Sequence, residues 1–172
     1  MTAVDRPRRQ NSLRFWATAL GLSVLVAGSV YAAGHRWSIA IDAQENVCLP
    51  PYRVWLIDKH QTTPVQGGTF AFAARNLSPV FPDGTTIVKV LEGMPGDHIS
   101  VSEQATMING RTVAHGLQVA SDYGIDPARY VRDGNIPADG YWFFGKTADS
   151  FDSRYWGSVK RSQIVGRAYP IW

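Results

Sequence analysis

One thiol, one lysine and a short polar box are the side chains best suited to chemistry in this 172-residue sequence. Cys48, the only cysteine, stands in "NVCLPPY", residues 46–52, ahead of two prolines. A thiol is a nucleophile where its surroundings favour the thiolate. Otherwise it is a small buried hydrophobe or half of an intermolecular disulfide. Lys89 stands between Val88 and Val90 in "IVKVLEGMPGD". On a strand, alternation puts it on the face opposite both valines. Facing solvent it is an ordinary lysine; buried, its ammonium form is penalised by desolvation and the neutral amine can accept a proton. Ser150, Asp152 and Arg154 fall together in "SFDSRYWG", where a serine can cap a turn and two opposite charges can pair.

Other chemistries find no support. His35, His60, His98 and His115 have neither metal-ligand spacing nor a Cys-His arrangement. No glycine-rich phosphate loop is present. The expectation is an activity without cofactor or metal.

The elements that must position these side chains are mostly strands. Ten prolines and sixteen glycines, with many Val, Ile, Thr and aromatic residues, favour a mainly β fold with frequent turns. Strands are expected over 52–58, 69–76 and 85–93, the last carrying Lys89. Residues 98–103 and 106–113 follow as a hairpin region, in which Asn109-Gly110 supplies a turn with positive φ. Pro82-Asp83-Gly84 marks another turn. The segment 114–138 is irregular, with a short helix within "DPARYVRDG", and strand pattern returns in "GYWFFGK" and "QIVGRAYPIW".

The net charge of +3 belongs to the first fourteen residues, where Arg6, Arg8, Arg9 and Arg14 face Asp5; the remaining basic and acidic side chains balance. No basic face for nucleic acid remains, so that partner is not expected. Residues 15–34 are uncharged, and twenty helical residues span roughly 30 Å, the thickness of a bilayer's hydrocarbon core. "VYA" at 30–32 fits the cleavage rule of a signal peptide. The length of the run, with Phe15, Trp16 and Tyr31 near its ends, favours an uncleaved anchor. Arginines before it place the N-terminus in the cytoplasm and the following domain outside. The expected organisation is a basic tail (1–14), a transmembrane anchor (15–34), a polar junction (35–46) and a β domain, the last two making up residues 35–172.

Four blocks resemble, in order and spacing, bacterial type I signal peptidases. They are "QGGTFAF" (66–72), "GMPGD" (93–97) behind the strand lysine, "ING" (108–110) and "SFDSRYWGSVKRSQIVGRAYPIW" (150–172). The resemblance implies a signal-peptidase-like β domain behind one transmembrane helix, in a bacterial inner membrane and facing the periplasm. It implies that Lys89 is the general base, four residues before the G-x-P-G-D turn formed by Gly93, Pro95, Gly96 and Asp97. Ser150 matches the serine that orients this lysine, and Asp152 and Arg154 the acidic and basic residues that tie the box loop together. The family nucleophile is a serine in S-M-x-P, or in S-M-P-x-G-x-Y in the TraF-type conjugal pilin-processing branch. Here Cys48 occupies that position in "CLPPY". Relatives complete an oxyanion hole with a side chain two residues before the nucleophile, which makes Asn46 the matching donor. Where signal peptidases read G-D-N, this chain has Gly145, Lys146 and Thr147, a departure that favours a specialised relative.

What the resemblance implies about function is a membrane-anchored processing peptidase whose substrate is a propilin or another exported preprotein. In the TraF-type branch the acyl-enzyme is resolved by the substrate's own amine, giving a cyclic pilin, and the partners are components of a conjugative secretion apparatus. The alternatives are a general signal peptidase that cleaves leader peptides, and an inactive structural subunit of such an apparatus.

Overall fold

The computed structural model describes residues 9–172, with side chains from Ser12 onward. Most of the expected basic tail, residues 1–8, lies outside the described residues. The chain divides into two compact units, one ending at Arg36 and the other running from Trp37 to Trp172.

The first unit is one helix, α1 (Arg9–Arg36), longer at both ends than the uncharged run. Its segment Ser12–Arg36 is long and apolar enough to cross a membrane. The hydroxyls of Thr18, Ser23 and Ser29 donate to the carbonyls of Arg14, Ala19 and Leu25, one turn back. These three hydroxyls are thereby satisfied inside the helix, as they would need to be in hydrocarbon.

The second unit is mainly β. Its strands are β1 (Trp37–Ile41), β2 (Val54–Asp58), β3 (Thr69–Ala73), β4 (Thr86–Gly93), β5 (His98–Val101), β6 (Ala105–Ile108), β7 (Arg111–His115), β8 (Arg132–Asn135), β9 (Gly140–Phe144), β10 (Val159–Lys160) and β11 (Ile164–Pro170). They form a seven-stranded sheet ordered β1-β2-β11-β3-β4-β9-β10 and a four-stranded sheet ordered β7-β6-β5-β8. Two short helices join in, α2 (Gln118–Asp122) and α3 (Ser153–Trp156), with a 3-10 turn at Pro127–Tyr130.

Alternation accounts for β4, whose Ile87, Lys89, Leu91 and Gly93 are buried while Val88, Val90 and Glu92 are only partly so. Phe70, Phe72, Ile87, Leu91 and Phe143 pack on one side of the large sheet, and Leu49, Trp55, Ile57, Ala71 and Ala168 form a second cluster. A third cluster, with Ile99, Val101, Ile108, Trp142 and Phe144, joins the small sheet to β9. Burying several such side chains, at about 1.5–3 kcal/mol each, holds the elements together. The turn between β6 and β7 is the expected one: Asn109 and Gly110 have φ of 49° and 78°, as a two-residue type I′ hairpin demands.

Three strands were not foreseen, β1, β8 and the two-residue β10, which pairs with the start of β9. β1 occupies the expected polar junction, where "WSIAI" pairs along its full length with β2. β8 lies in the expected irregular segment, where "RDGN" has no strand-forming residue and is extended by its pairing with β5.

Candidate active site

β4 delivers Lys89. Phe70 lies opposite it on β3, and its same-face neighbours Ile87 and Leu91 are core residues, so the amine enters the interior. Lys89 is 2 % exposed, which excludes the solvent-facing alternative. Its Nζ donates to Ser150 Oγ at 2.7 Å.

Ser150 arrives on the loop that leaves β9. Phe144 is opposite Val90, and one residue later the chain turns away at Gly145. A Cβ on Gly145 would overlap Ser150 Oγ and come within 3.1 Å of the Cys48 carbonyl oxygen. Only glycine lets these segments meet. Lys146 N–H then donates to that Cys48 carbonyl at 2.8 Å, and Ser150 N–H to the Thr147 carbonyl at 3.2 Å. Lys146, in the segment that departs from G-D-N, thus holds the cysteine segment through its backbone N–H.

Asp152 and Arg154 are 0 % and 1 % exposed. Arg154 Nε donates to Asp152 Oδ1 at 2.8 Å and Nη2 to Oδ2 at 2.9 Å, a two-pronged pair. The same carboxylate accepts the Gly145 N–H at 3.2 Å and the Arg154 N–H at 3.2 Å. Arg154 Nη2 also donates to the Ser150 carbonyl at 3.0 Å, and Nη1 to those of His115 and Gly116 at 3.2 and 3.0 Å. Burial opposes the guanidinium charge, but hydrogen bonding and attraction from Asp152 outweigh it and leave its pKa raised. Burial raises the pKa of Tyr155, against a lesser opposing pull from Arg154.

Cys48 is half-buried and a free thiol. Its Sγ donates to Gln44 Oε1 at 3.6 Å. Cys48 and Lys89 line one cleft of about 330 Å³, walled by apolar side chains from β1, β2 and β4 and by Phe81. Asn46 is exposed and does not line this cleft. Gly93, Pro95, Gly96 and Asp97 build the turn from β4 into β5. There Asp97 Oδ2 accepts Met94 N–H at 2.7 Å, and its Oδ1 accepts Asn109 Nδ2–H at 2.7 Å.

Cys48 and Lys89 therefore line one cleft, the Lys89 amine is bonded to Ser150, and Asp152 with Arg154 pins the loop that brings Ser150. Three groups escaped the sequence: Gln44, Gly145 and the Lys146 N–H. Gly145 had only its place in a departing motif as a signal, and Gln44 had none.

The sequence profile of the family described as "Signal peptidase, peptidase S26" matches residues 11–172. A probable signal peptidase I-2 from Synechocystis is 26 % identical over 88 % of this chain, which spans 65 % of that protein's length. The plasmid transfer protein TraF of Escherichia coli is 23 % identical over 95 % of this chain and 97 % of its own. A solved signal peptidase I from Enterococcus faecalis is 24 % identical, with a TM-score of 0.39, over 61 % of this chain and 96 % of its own.

Proposed function

This chain belongs to the peptidase S26 signal peptidase family, and from that premise we propose that it is a membrane-anchored processing peptidase with Cys48 as nucleophile and Lys89 as proton carrier. The observation that carries this is the buried Lys89 Nζ, bonded to Ser150 Oγ at 2.7 Å in the cleft that also holds Cys48. A lysine side chain buried to this degree is rare, and one that ends on a serine hydroxyl beside a cleft calls for a use.

Attack moves the Cys48 proton to the Lys89 amine while Sγ bonds to the scissile carbonyl carbon and an electron pair shifts to the carbonyl oxygen. Collapse of that intermediate breaks the C–N bond. Lys89 returns the proton to the leaving amine, and a thioester remains on Cys48. One Nζ–H held by Ser150 narrows the nitrogen lone pair to the two remaining staggered directions, so Ser150 is a positioning residue. A serine needs its base at the moment of attack; a thiol, intrinsically more acidic, can give its proton up beforehand.

The thioester is resolved by water or by an amine of the substrate. A plasmid transfer protein matching nearly end to end supports a conjugative setting; the second route, with a cyclic pilin as product, is what the resemblance to the TraF-type branch implies. In this proposal α1 is the anchor in the bacterial inner membrane and the β domain works in the periplasm. Mass spectrometry of pilin from cells carrying the protein tests both parts. Cyclisation gives a product lighter than the linear one by one water. Cys48→Ala and Lys89→Ala abolish processing, and Cys48→Ser retains some. Unchanged pilin in both alanine variants would leave the structural-subunit alternative standing.

A further inference from the structure

From the geometry around the thiol we infer that Gln44 is a catalytic residue, supplying the side-chain N–H that stabilises the oxyanion. The inference rests on Cys48 being the nucleophile. Among side chains of the described residues, the Gln44 carboxamide is the group bonded to the sulfur, with Oε1 3.6 Å from Sγ. It lines the cleft shared by Cys48 and Lys89, whereas Asn46, at the position matching the relatives' donor, does not.

A primary amide presents an acceptor on one side and two donors on the other. Toward a protonated thiol it turns its oxygen, as here. Once the proton has left and negative charge builds on sulfur and then on the carbonyl oxygen, Oε1 is repelled. A half-turn of the terminal amide then brings Nε2–H to the same place. The donor is neutral, so it leaves the charge on Lys89 unopposed, and it aims at an atom bonded directly to the carbon that Sγ attacks. Among the described residues no acceptor takes the Cys48 N–H, which is the second donor to the same oxygen.

The backbone that carries Gln44 is fixed. Arg53 Nη1 donates to the Gln44 carbonyl at 2.7 Å, and Arg53 Nη2 to that of Glu45 at 3.2 Å. Gln44 N–H donates to Asp42 Oδ1 at 3.1 Å, and Asp42 N–H to the Arg53 carbonyl at 2.8 Å. The side chain can pivot while its Cα stays anchored. An oxyanion donor needs both properties if it is also to bond the resting thiol.

Two small reagents test this on the full chain in detergent, without its natural substrate. p-Nitrophenyl acetate acylates Cys48 through a tetrahedral oxyanion, with Sγ bonding to the carbonyl carbon and p-nitrophenolate leaving. Iodoacetamide alkylates the same sulfur by displacing iodide, with no oxyanion. Gln44→Ala is expected to slow acetylation on the order of 10²-fold and alkylation less than about threefold, a factor small against that loss. Gln44→Glu, which cannot donate and repels the oxyanion, is expected to slow acetylation more. Gln44 is exposed, so neither variant disturbs the core. Equal slowing of both reagents in Gln44→Ala, or of neither, would overturn the assignment. So would a large acetylation loss in Asn46→Ala beside none in Gln44→Ala. Acetylation of Cys48→Ala at the wild-type rate would instead remove the nucleophile on which the assignment stands.

Discussion

The amine of Lys89 and the hydroxyl of Ser150 reach each other only because Gly145 has no side chain. Gly145→Ala forces Ser150 or the Cys48 segment aside, and overpacking of this kind costs about 1–3 kcal/mol. The expected outcome is a fall in acetylation by p-nitrophenyl acetate of at least about tenfold, as displacements near 1 Å can cause, with a shift in urea midpoint that leaves the protein folded at 25 °C. Asp152 is the harsher case. Its removal strands the fully buried Arg154 charge, and breaking such a pair costs about 3–5 kcal/mol. Equilibrium unfolding of Asp152→Ala in urea measures it. Tyr155 adds a pH dependence. Burial raises its pKa, so the folded state resists losing the phenolic proton more than the unfolded chain does. The stability it contributes is complete below the ordinary tyrosine range, near pH 10, and is lost as pH climbs from there through the raised value. Urea midpoints between pH 8 and 11 are expected to fall more steeply for the native protein than for Tyr155→Phe.

Among the elements, the turn from β4 to β5 links the two sheets. Its Asp97 carboxylate bonds both its own loop, at Met94 N–H, and the β6–β7 turn, at Asn109. A Cβ on Gly93 would sit 2.5 Å from Ile136 Cδ1 and 3.0 Å from Trp142 Cβ, so glycine there is demanded by packing between sheets. Asp97→Ala is expected to lower stability by about 1–3 kcal/mol, the cost of orphaned partners, while Lys89 stays seated and alkylation of Cys48 is unchanged. β3, β4, β9 and β11 were legible in the sequence because their apolar residues record which faces are covered. β1 was hidden because "WSIAI" follows α1 without a break, and its outward Ile39 and Ile41 are exposed, so burial leaves no alternating signature. β8 was hidden because polar "RDGN" becomes a strand only when β5 lies beside it. The site divides similarly. Motifs point to Cys48, Lys89, Ser150, Asp152 and Arg154, but the distance from Gln44 to the sulfur depends on how Arg53 folds residues 42–45, which no spacing along the chain reveals.

For the whole molecule, the single cysteine makes sidedness measurable without engineering. If α1 crosses the inner membrane with the β domain outside, a membrane-impermeant maleimide labels Cys48 in intact spheroplasts; labelling that needs lysis would reverse the proposed orientation. The guanidinium of Arg154 sets a further property of the molecule. It grips the Ser150 carbonyl beside the lysine and, through Nη1, the carbonyls where β7 of the smaller sheet ends. Melting of that sheet would therefore let go of the serine at once. On heating, thiol acylation and near-ultraviolet ellipticity are expected to vanish at a common temperature, with no interval in which a sound fold houses a dead enzyme.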